Sequence, residues 1–315
     1  MSNSIFLWSV FSIVVVIMLA VDLGIFRKES REIKLKEALI WSAVWIAMSL
    51  LFNVWIYFYS GPDMALDFLT GYLIEKSLSV DNIFVFILIF KYFDVPRKFQ
   101  HKVLFWGIIG AVVMRGILIA AGITLIHQFH WLIYVFGAFL IYGGIKLFSE
   151  EEESIEPDKN PVLKLIRKQK VFPLIGLYYE HAKFFIKQKG KYYITPLFVV
   201  LIMIETTDVI FALDSIPAIL SITTDPFIVF SSNIFAILGL RALYFALAGI
   251  MQLFHYLRIG LALILVFVGV KMILADVYHI PTAYALGFIG VTLLISILAS
   301  LRKGKKSAEK EPVAS

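Results

Sequence analysis

Residues 205–218, ETTDVIFALDSIPA, place three carboxylates inside a strongly apolar stretch of the chain. The run PLFVVLIMI (196–204) precedes them, and another apolar segment follows. A charged side chain at the centre of a membrane-spanning helix costs roughly 2.5–3.5 kcal/mol. Glu205, Asp208 and Asp214 are therefore expected to face a cavity, a cation or a basic partner, and not lipid.

The composition is typical of a polytopic membrane protein. Of the 315 residues, 60% are hydrophobic and 17% are charged, whereas soluble domains are nearer half apolar and a quarter charged. The chain has no cysteine, which excludes disulfides, zinc–thiolate sites and cysteine catalysis. The net charge of +6 comes from basic loops between apolar segments, so it indicates orientation in a membrane and not binding to nucleic acid.

Nine apolar segments are long enough to cross a bilayer, and the predicted fold is an all-α polytopic membrane protein in contact with lipids. They cover approximately residues 5–26, 38–60, 66–92, 103–127, 130–148, 196–220, 227–253, 258–276 and 281–301. Every second loop is rich in Lys and Arg, beginning with residues 27–37 and ending with 302–306. The positive-inside rule then places the N-terminus outside and the C-terminus in the cytoplasm.

The segments divide the chain into six parts. They are two N-terminal helices (1–60), a first three-helix unit (61–148), a cytoplasmic loop (149–195), a second three-helix unit (196–276), a last helix (277–301) and a disordered tail (302–315). In the loop, residues 162–172 are predicted to form a basic amphipathic helix and residues 184–194 a β-hairpin. A solvated linker is the alternative for the first half of this loop.

The two three-helix units resemble each other. The first carries EKSLSVDNI (75–83), an Arg at 115 and Gly-Ile-Lys at 144–146; the second carries DVIFALDSI (208–216), an Arg at 241 and Gly-Val-Lys at 269–271. Because each unit has an odd number of spans, the second must be inverted relative to the first. Inverted repeats are an architecture of secondary transporters, whose binding sites lie near the bilayer midplane.

The acids in these motifs are candidate ligands of a metal ion. Oxygen ligands suit Mg²⁺, Ca²⁺ and Mn²⁺, and the predicted metal-binding residues are Glu75, Asp81, Asn82, Glu205, Asp208, Asp214 and Asp22. On a regular helix Asp208 and Asp214 point about 120° apart. We therefore predict that Pro217 breaks this helix and turns both acids toward residues 75–81.

An alternative reading is that these acids neutralise buried basic residues in ion pairs. Arg115, Arg241 and Lys76 are predicted to balance their charge. An intramembrane metalloenzyme is not expected, because the chain has neither an HExxH motif nor paired histidines at the centre of a span.

Four stretches, GYLIEKSLSVDNIFV (71–85), ETTDVIFALDSIPAI (205–219), TTDPFIVFSSNIFAILGLRALYF (223–245) and GVKMIL (269–274), resemble the TerC family and in particular its Alx-like branch. The resemblance implies an inner-membrane protein with the fold of the LysE-type transporter superfamily, and a link to Mn²⁺ export, alkaline response and tellurium resistance. The acids of both motifs match the family pattern, and Asp22 matches its first-span Asp.

Together these features predict an exporter of a divalent cation, Mn²⁺ before Ca²⁺ or Mg²⁺, that works by alternating access. Protons could replace the metal on the return step. The alternative is a membrane protein that does not transport, such as a metal sensor or an assembly factor, with its contacts on the 149–195 loop. The sequence leaves the oligomeric state open.

Overall fold

A computed structural model gives the fold and describes residues 2–26, 35–129, 131–149, 183–188, 191–248, 256–278 and 280–308. Within these ranges the chain forms ten helices and one two-stranded sheet. They are α1 (Ser2–Phe26), α2 (Leu35–Ser60), α3 (Pro62–Tyr92), α4 (Arg97–Gln128), α5 (Leu132–Ser149), β1 (Phe185–Gln188), β2 (Lys191–Ile194), α6 (Pro196–Leu220), α7 (Pro226–Ile237), α8 (Leu240–Ala248), α9 (Leu257–Leu274) and α10 (Thr282–Ala308). The amphipathic helix predicted at 162–172 and the last part of the tail, 309–315, lie outside the described residues.

Proline opens several of the helices, since its missing N–H is not needed in the first turn. Pro196 begins α6 and Pro226 begins α7. At α7 the side chain of Asp225 also accepts hydrogen bonds of 2.9 and 3.0 Å from the backbone N–H groups of Phe227 and Ile228. The prolines and the Asp225 cap thus set the first residues of α6 and α7.

The described residues include six helical segments that are long and apolar enough to cross a membrane. They are Ser4–Asp22, Leu35–Ser60, Arg97–Gln128, Pro196–Leu220, Pro226–Ala248 and Thr282–Ser300. Large apolar side chains are exposed along α1, α2 and α10, as expected for surfaces that contact lipid. The chain is therefore a nearly all-helical polytopic membrane protein, and the number of nine spans stays a prediction.

The helices that carry the motifs pair in a regular way. Helix α3 runs parallel to α7, because successive contacts join Gly71 to Ser232 and Lys76 to Ala236. Helix α4 runs parallel to α6, with contacts that advance from 107–204 to 122–216. Exchange of the two three-helix units would convert one pairing into the other. This agreement supports the inverted repeat, which stays a prediction.

Helices α5 and α9 pack backbone to backbone and run antiparallel. A Cβ atom on Gly269 would lie 2.6 Å from the carbonyl oxygen of Gly137, and one on Gly144 would lie 2.8 Å from that of Ala262. Small residues permit such close approach between helices in membranes. The glycines of the two Gly-x-Lys motifs, Gly144 and Gly269, are therefore packing residues in this α5–α9 seam.

The structure contradicts the predicted break in α6. The helix is continuous from Pro196 to Leu220 and contains Pro217. A proline at this position removes one hydrogen bond, to the carbonyl of Leu213, and only three residues of the helix follow it. The remainder of the helix therefore keeps its regular course past Asp208 and Asp214.

The break occurs in the next segment. Residues 227–253 were predicted to be one span, but the chain leaves helical geometry at Leu238 and Gly239, between α7 and α8. Gly239 has a φ of +83°, which is the left-handed region that favours glycine. Its position is packed as well, because a Cβ there would lie 2.7 Å from atoms of Trp45 in α2.

Two further features lie outside the bundle of spans. β1 and β2 pair as an antiparallel hairpin, with Phe185 opposite Ile194, at the place where the sequence predicts one. Helix α10 continues to Ala308, which is within the region 302–315 that the sequence assigns to a disordered tail.

Candidate functional site

Arg115 is the centre of a buried polar cluster between four helices. It lies in α4 with no exposed surface. Its Nε and Nη2 atoms donate to the two carboxylate oxygens of Asp208 in α6, at 2.9 and 2.7 Å. Its Nη1 atom donates to Oε1 of Glu75 in α3. One guanidinium thus joins an acid from each of the two sequence motifs.

Asn233 of α7 completes this cluster and was not among the predicted residues. Its Nδ2 donates to Oε2 of Glu75 at 3.0 Å, and its Oδ1 accepts from Nη1 of Arg115 at 3.3 Å. The side chain is fully buried. The signal in the sequence was the polar run Ser231–Asn233 inside an otherwise apolar span. We refer to Glu75, Arg115, Asp208 and Asn233 as the Arg115 cluster.

Glu205 lies one helical turn before Asp208 and is half-buried. Its carboxylate faces α4 at Gly110, where any Cβ atom would overlap it. Within the described part of the chain Glu205 has no hydrogen bond or ion pair. Glycine at position 110 therefore makes room for an acid that no basic residue neutralises directly.

Asp214 lies apart from the Arg115 cluster. It is half-buried, and its Oδ1 lies against α5, 3.7 Å from where a Cβ on Gly143 would be. Lys146 of α5 acts on it electrostatically. Because α6 is continuous, Asp208 and Asp214 point to different neighbours, and the predicted convergence of the two acids is not observed.

Asp22 and Arg241 form a second buried ion pair. The carboxylate of Asp22, near the end of α1, lies 2.8 Å from Nη2 of Arg241 in α8. Both side chains are nearly inaccessible. Asp22, predicted as a metal ligand, is thus engaged by an arginine and lies outside the Arg115 cluster.

Lys76, the third basic residue predicted to balance the acids, forms a hydrogen bond with the backbone. Its Nζ donates to the carbonyl oxygen of Ala236 at 3.2 Å, close to the end of α7. The carbonyls at a helix end lack partners within the helix. Lys76 therefore satisfies one of the groups exposed by the break at Leu238 and Gly239.

Several neutral oxygens near the motifs have no hydrogen-bond partner among the described residues. They are Oδ1 of the buried Asn82 and the hydroxyls of Ser79 and Ser215. The backbone of Asp81 is part of α3, and its side chain lies outside the described structure. Among the side chains that the structure does describe, no three Asp, Glu or His residues form a group able to hold a metal ion.

A small cavity is lined by Asp208 of the Arg115 cluster and by Arg241 of the second ion pair. Apolar residues of α3, α4, α6 and the α7–α8 break form the rest of its wall. Its volume of about 20 Å³ is enough for roughly one water molecule, which needs about 10–15 Å³ by this measure. We call it the Asp208–Arg241 cavity.

Comparison with known proteins identifies the family. The model of the "Integral membrane protein TerC family" matches residues 60–308, which include every residue of the Arg115 cluster. The chain belongs to the TerC family. No solved structure matches the chain.

Relatives of this TerC protein are similar over nearly the full length of both chains. An "Uncharacterized membrane protein STKORF319" of Myxococcus xanthus is 48% identical over 299 residues, which cover 95% of this chain and 93% of the relative. A protein of Salmonella typhi named "Putative membrane-bound redox modulator Alx" is 47% identical over 314 residues, with coverage of 95% and 96%. Its namesake in Escherichia coli strain K12 is 48% identical over 303 residues, or 93% of each chain.

Proposed function

We propose that this TerC protein exports a divalent cation, with Mn²⁺ as the preferred ion, across the inner membrane by alternating access. The observation that carries the proposal is the Arg115 cluster, in which carboxylates from α3 and α6 meet in the interior of the bundle. Buried acids in membrane segments are costly, and where they occur they mark ion pathways.

The charges around Arg115 favour a cation as the ligand. Glu75, Asp208 and Glu205 carry three formal negative charges, against two positive charges, on Arg115 and on Lys76 next to Glu75. Their ligand atoms are all oxygen, as hard divalent cations prefer. Arg115 occupies the space between Glu75 and Asp208, so a cation that binds both acids must displace the guanidinium.

The choice of Mn²⁺ over Ca²⁺ or Mg²⁺ rests on the resemblance to the TerC family. We further propose that protons return in exchange for the metal, because carboxylates that release a cation are natural proton acceptors. The relatives' name contains the word "redox". This chain has no cysteine, so it has no thiol for redox chemistry.

Flux measurements in proteoliposomes test this function. The purified protein should move Mn²⁺, and an opposing proton gradient should accelerate the movement. Glu205→Gln should slow Mn²⁺ flux by about tenfold, since a lost contact to a charged group costs roughly 1.5–3 kcal/mol. The matched control is Asp94→Asn, because Asp94 is an exposed acid in the α3–α4 turn and lies outside the cluster.

Two outcomes would contradict the proposal. Equal flux in vesicles with and without the protein would mean that it does not transport Mn²⁺, and metal binding without flux would favour a sensor. Wild-type flux in the Glu205→Gln variant would remove Glu205 from the site.

A further inference from the structure

The ion pair between Asp22 and Arg241 and the Arg115 cluster border the same cavity. Arg241 contributes both to this pair and to the wall of the Asp208–Arg241 cavity. Asp208 lines the same cavity. Any small ion or water that leaves Asp208 through this cavity therefore meets the Asp22–Arg241 pair.

The pair lies toward one end of the bundle. Asp22 is one turn from the end of α1 at Phe26, and the cavity wall includes Phe86 and Leu104, which lie about two helical turns from the α3–α4 turn. The loops that follow α1 and α3 are basic in sequence, so the positive-inside rule assigns this end to the cytoplasm. The cavity thus points from the Arg115 cluster toward the predicted cytoplasmic side.

The segment that carries Arg241 begins at a break in the backbone. Arg241 is in the first turn of α8, two residues after Gly239 with its positive φ. Discontinuous helices of this kind line the substrate paths of transporters, and hinges are short segments that absorb changes in φ and ψ. Motion of α8 about Gly239 would separate the guanidinium of Arg241 from Asp22.

We propose that the Asp208–Arg241 cavity is the inner vestibule of the ion path, and that the Asp22–Arg241 ion pair is the contact that closes it. Opening of the pair admits the cation from the cytoplasm to Asp208 and the Arg115 cluster. This inference rests on the proposed export function, but it concerns access and can be tested without any metal.

A buried ion pair is suited to a contact that must open and close. Removal of both charges from water costs much of what their attraction returns. Hydration of the two side chains on opening therefore offsets the lost attraction. Asp22 lies in α1, outside the predicted repeat. Arg115, which corresponds to Arg241 in the first unit, therefore pairs with the central acids and not with a counterpart of Asp22.

The chain contains no cysteine, so a single engineered cysteine reports access to the cavity. Ala111 lines the cavity and is buried, and Ala111→Cys is a small change. Inside-out membrane vesicles would be treated with a charged, membrane-impermeant methanethiosulfonate reagent, without added metal. Slow labelling is expected in the parent. A second substitution, Asp22→Asn, should raise the labelling rate at least about tenfold, because loss of one partner strongly destabilises a buried ion pair.

Two controls separate opening of the vestibule from general loosening. Met18→Leu changes a buried residue one turn earlier on α1 and leaves the ion pair intact, so the labelling rate should not change. A cysteine at the buried Ala212 of α6, which does not line the cavity, should stay unlabelled in both backgrounds.

The proposal is overturned if Asp22→Asn leaves the labelling of the Ala111→Cys variant unchanged, or if that cysteine resists the reagent in every background. It is equally overturned if Asp22→Asn exposes the cysteine at position 212 to the same degree. None of these outcomes depends on Mn²⁺ flux, so failure of this inference is distinguishable from failure of the export function.

Discussion

The two buried arginines, Arg115 and Arg241, bind acids from different parts of the fold. Arg115 binds acids from α3 and α6, which are equivalent helices of the predicted repeat. Arg241, its counterpart by sequence position, binds Asp22 of α1, a helix outside the repeat. Equivalent residues therefore have non-equivalent partners, and this difference favours a central role for Arg115 and a peripheral role for Arg241.

A substitution at Gly110 should displace the carboxylate of Glu205 without removing its charge. A methyl group at this position would overlap the carboxylate of Glu205, which is the far end of a flexible side chain. Gly110→Ala should therefore fold, with the side chain of Glu205 moved away from α4, and Mn²⁺ flux in proteoliposomes should fall about tenfold, as in Glu205→Gln. The control Gly290→Ala in α10 adds a methyl group that meets no atom within 4 Å, and a fall of the same size there would contradict the role of Glu205.

Among the elements, the position of the helix break is the main departure from expectation. A proline four residues from the end of a helix removes one hydrogen bond and the helix continues, as α6 does. A glycine with positive φ ends a helix more effectively, as at the junction of α7 and α8. The carbonyl oxygen of Ala236 accepts a hydrogen bond from the ammonium of Lys76, so a residue predicted to balance the acids also stabilises the break.

Gly239 should tolerate no side chain. Gly239→Ala combines a left-handed backbone, which costs roughly 1–2 kcal/mol for other residues, with a Cβ at 2.7 Å from Trp45. We expect a lower melting temperature in detergent and a lower yield of monodisperse protein. Gly287→Ala in α10 has open space around the added methyl group and should be neutral or stabilising by up to about 1 kcal/mol. Equal stability of the two variants would show that the α7–α8 break is not constrained.

At the scale of the whole molecule, the apolar runs and the motif acids predicted much of what the structure shows. The nearly all-helical fold follows from segment length, and the meeting of Glu75, Arg115 and Asp208 follows the paired motifs. The partners of Arg241, Lys76 and Asp214, and the role of Asn233, did not follow. In helices such as α1 and α3 the apolar residues are spread around the whole helix, so the 3.6-residue period that reveals the rotation of a helix is weak.

The orientation of the molecule is open to direct measurement. Thr224 in the α6–α7 turn and Asp94 in the α3–α4 turn are both exposed, and the positive-inside rule places them on opposite sides. In whole cells, an impermeant thiol reagent should label Thr224→Cys but not Asp94→Cys, and inside-out vesicles should give the reverse pattern. Labelling of both positions from the same side would refute the predicted topology.

The seam between α5 and α9 has a mechanical consequence. Gly137 approaches Gly269 and Gly144 approaches Ala262, so the two backbones touch at two points along the seam. Backbones packed this closely leave little space for relative movement. If the protein changes shape during its work, we therefore expect distances measured across the α5–α9 seam to stay constant while those between α1 and α8 change.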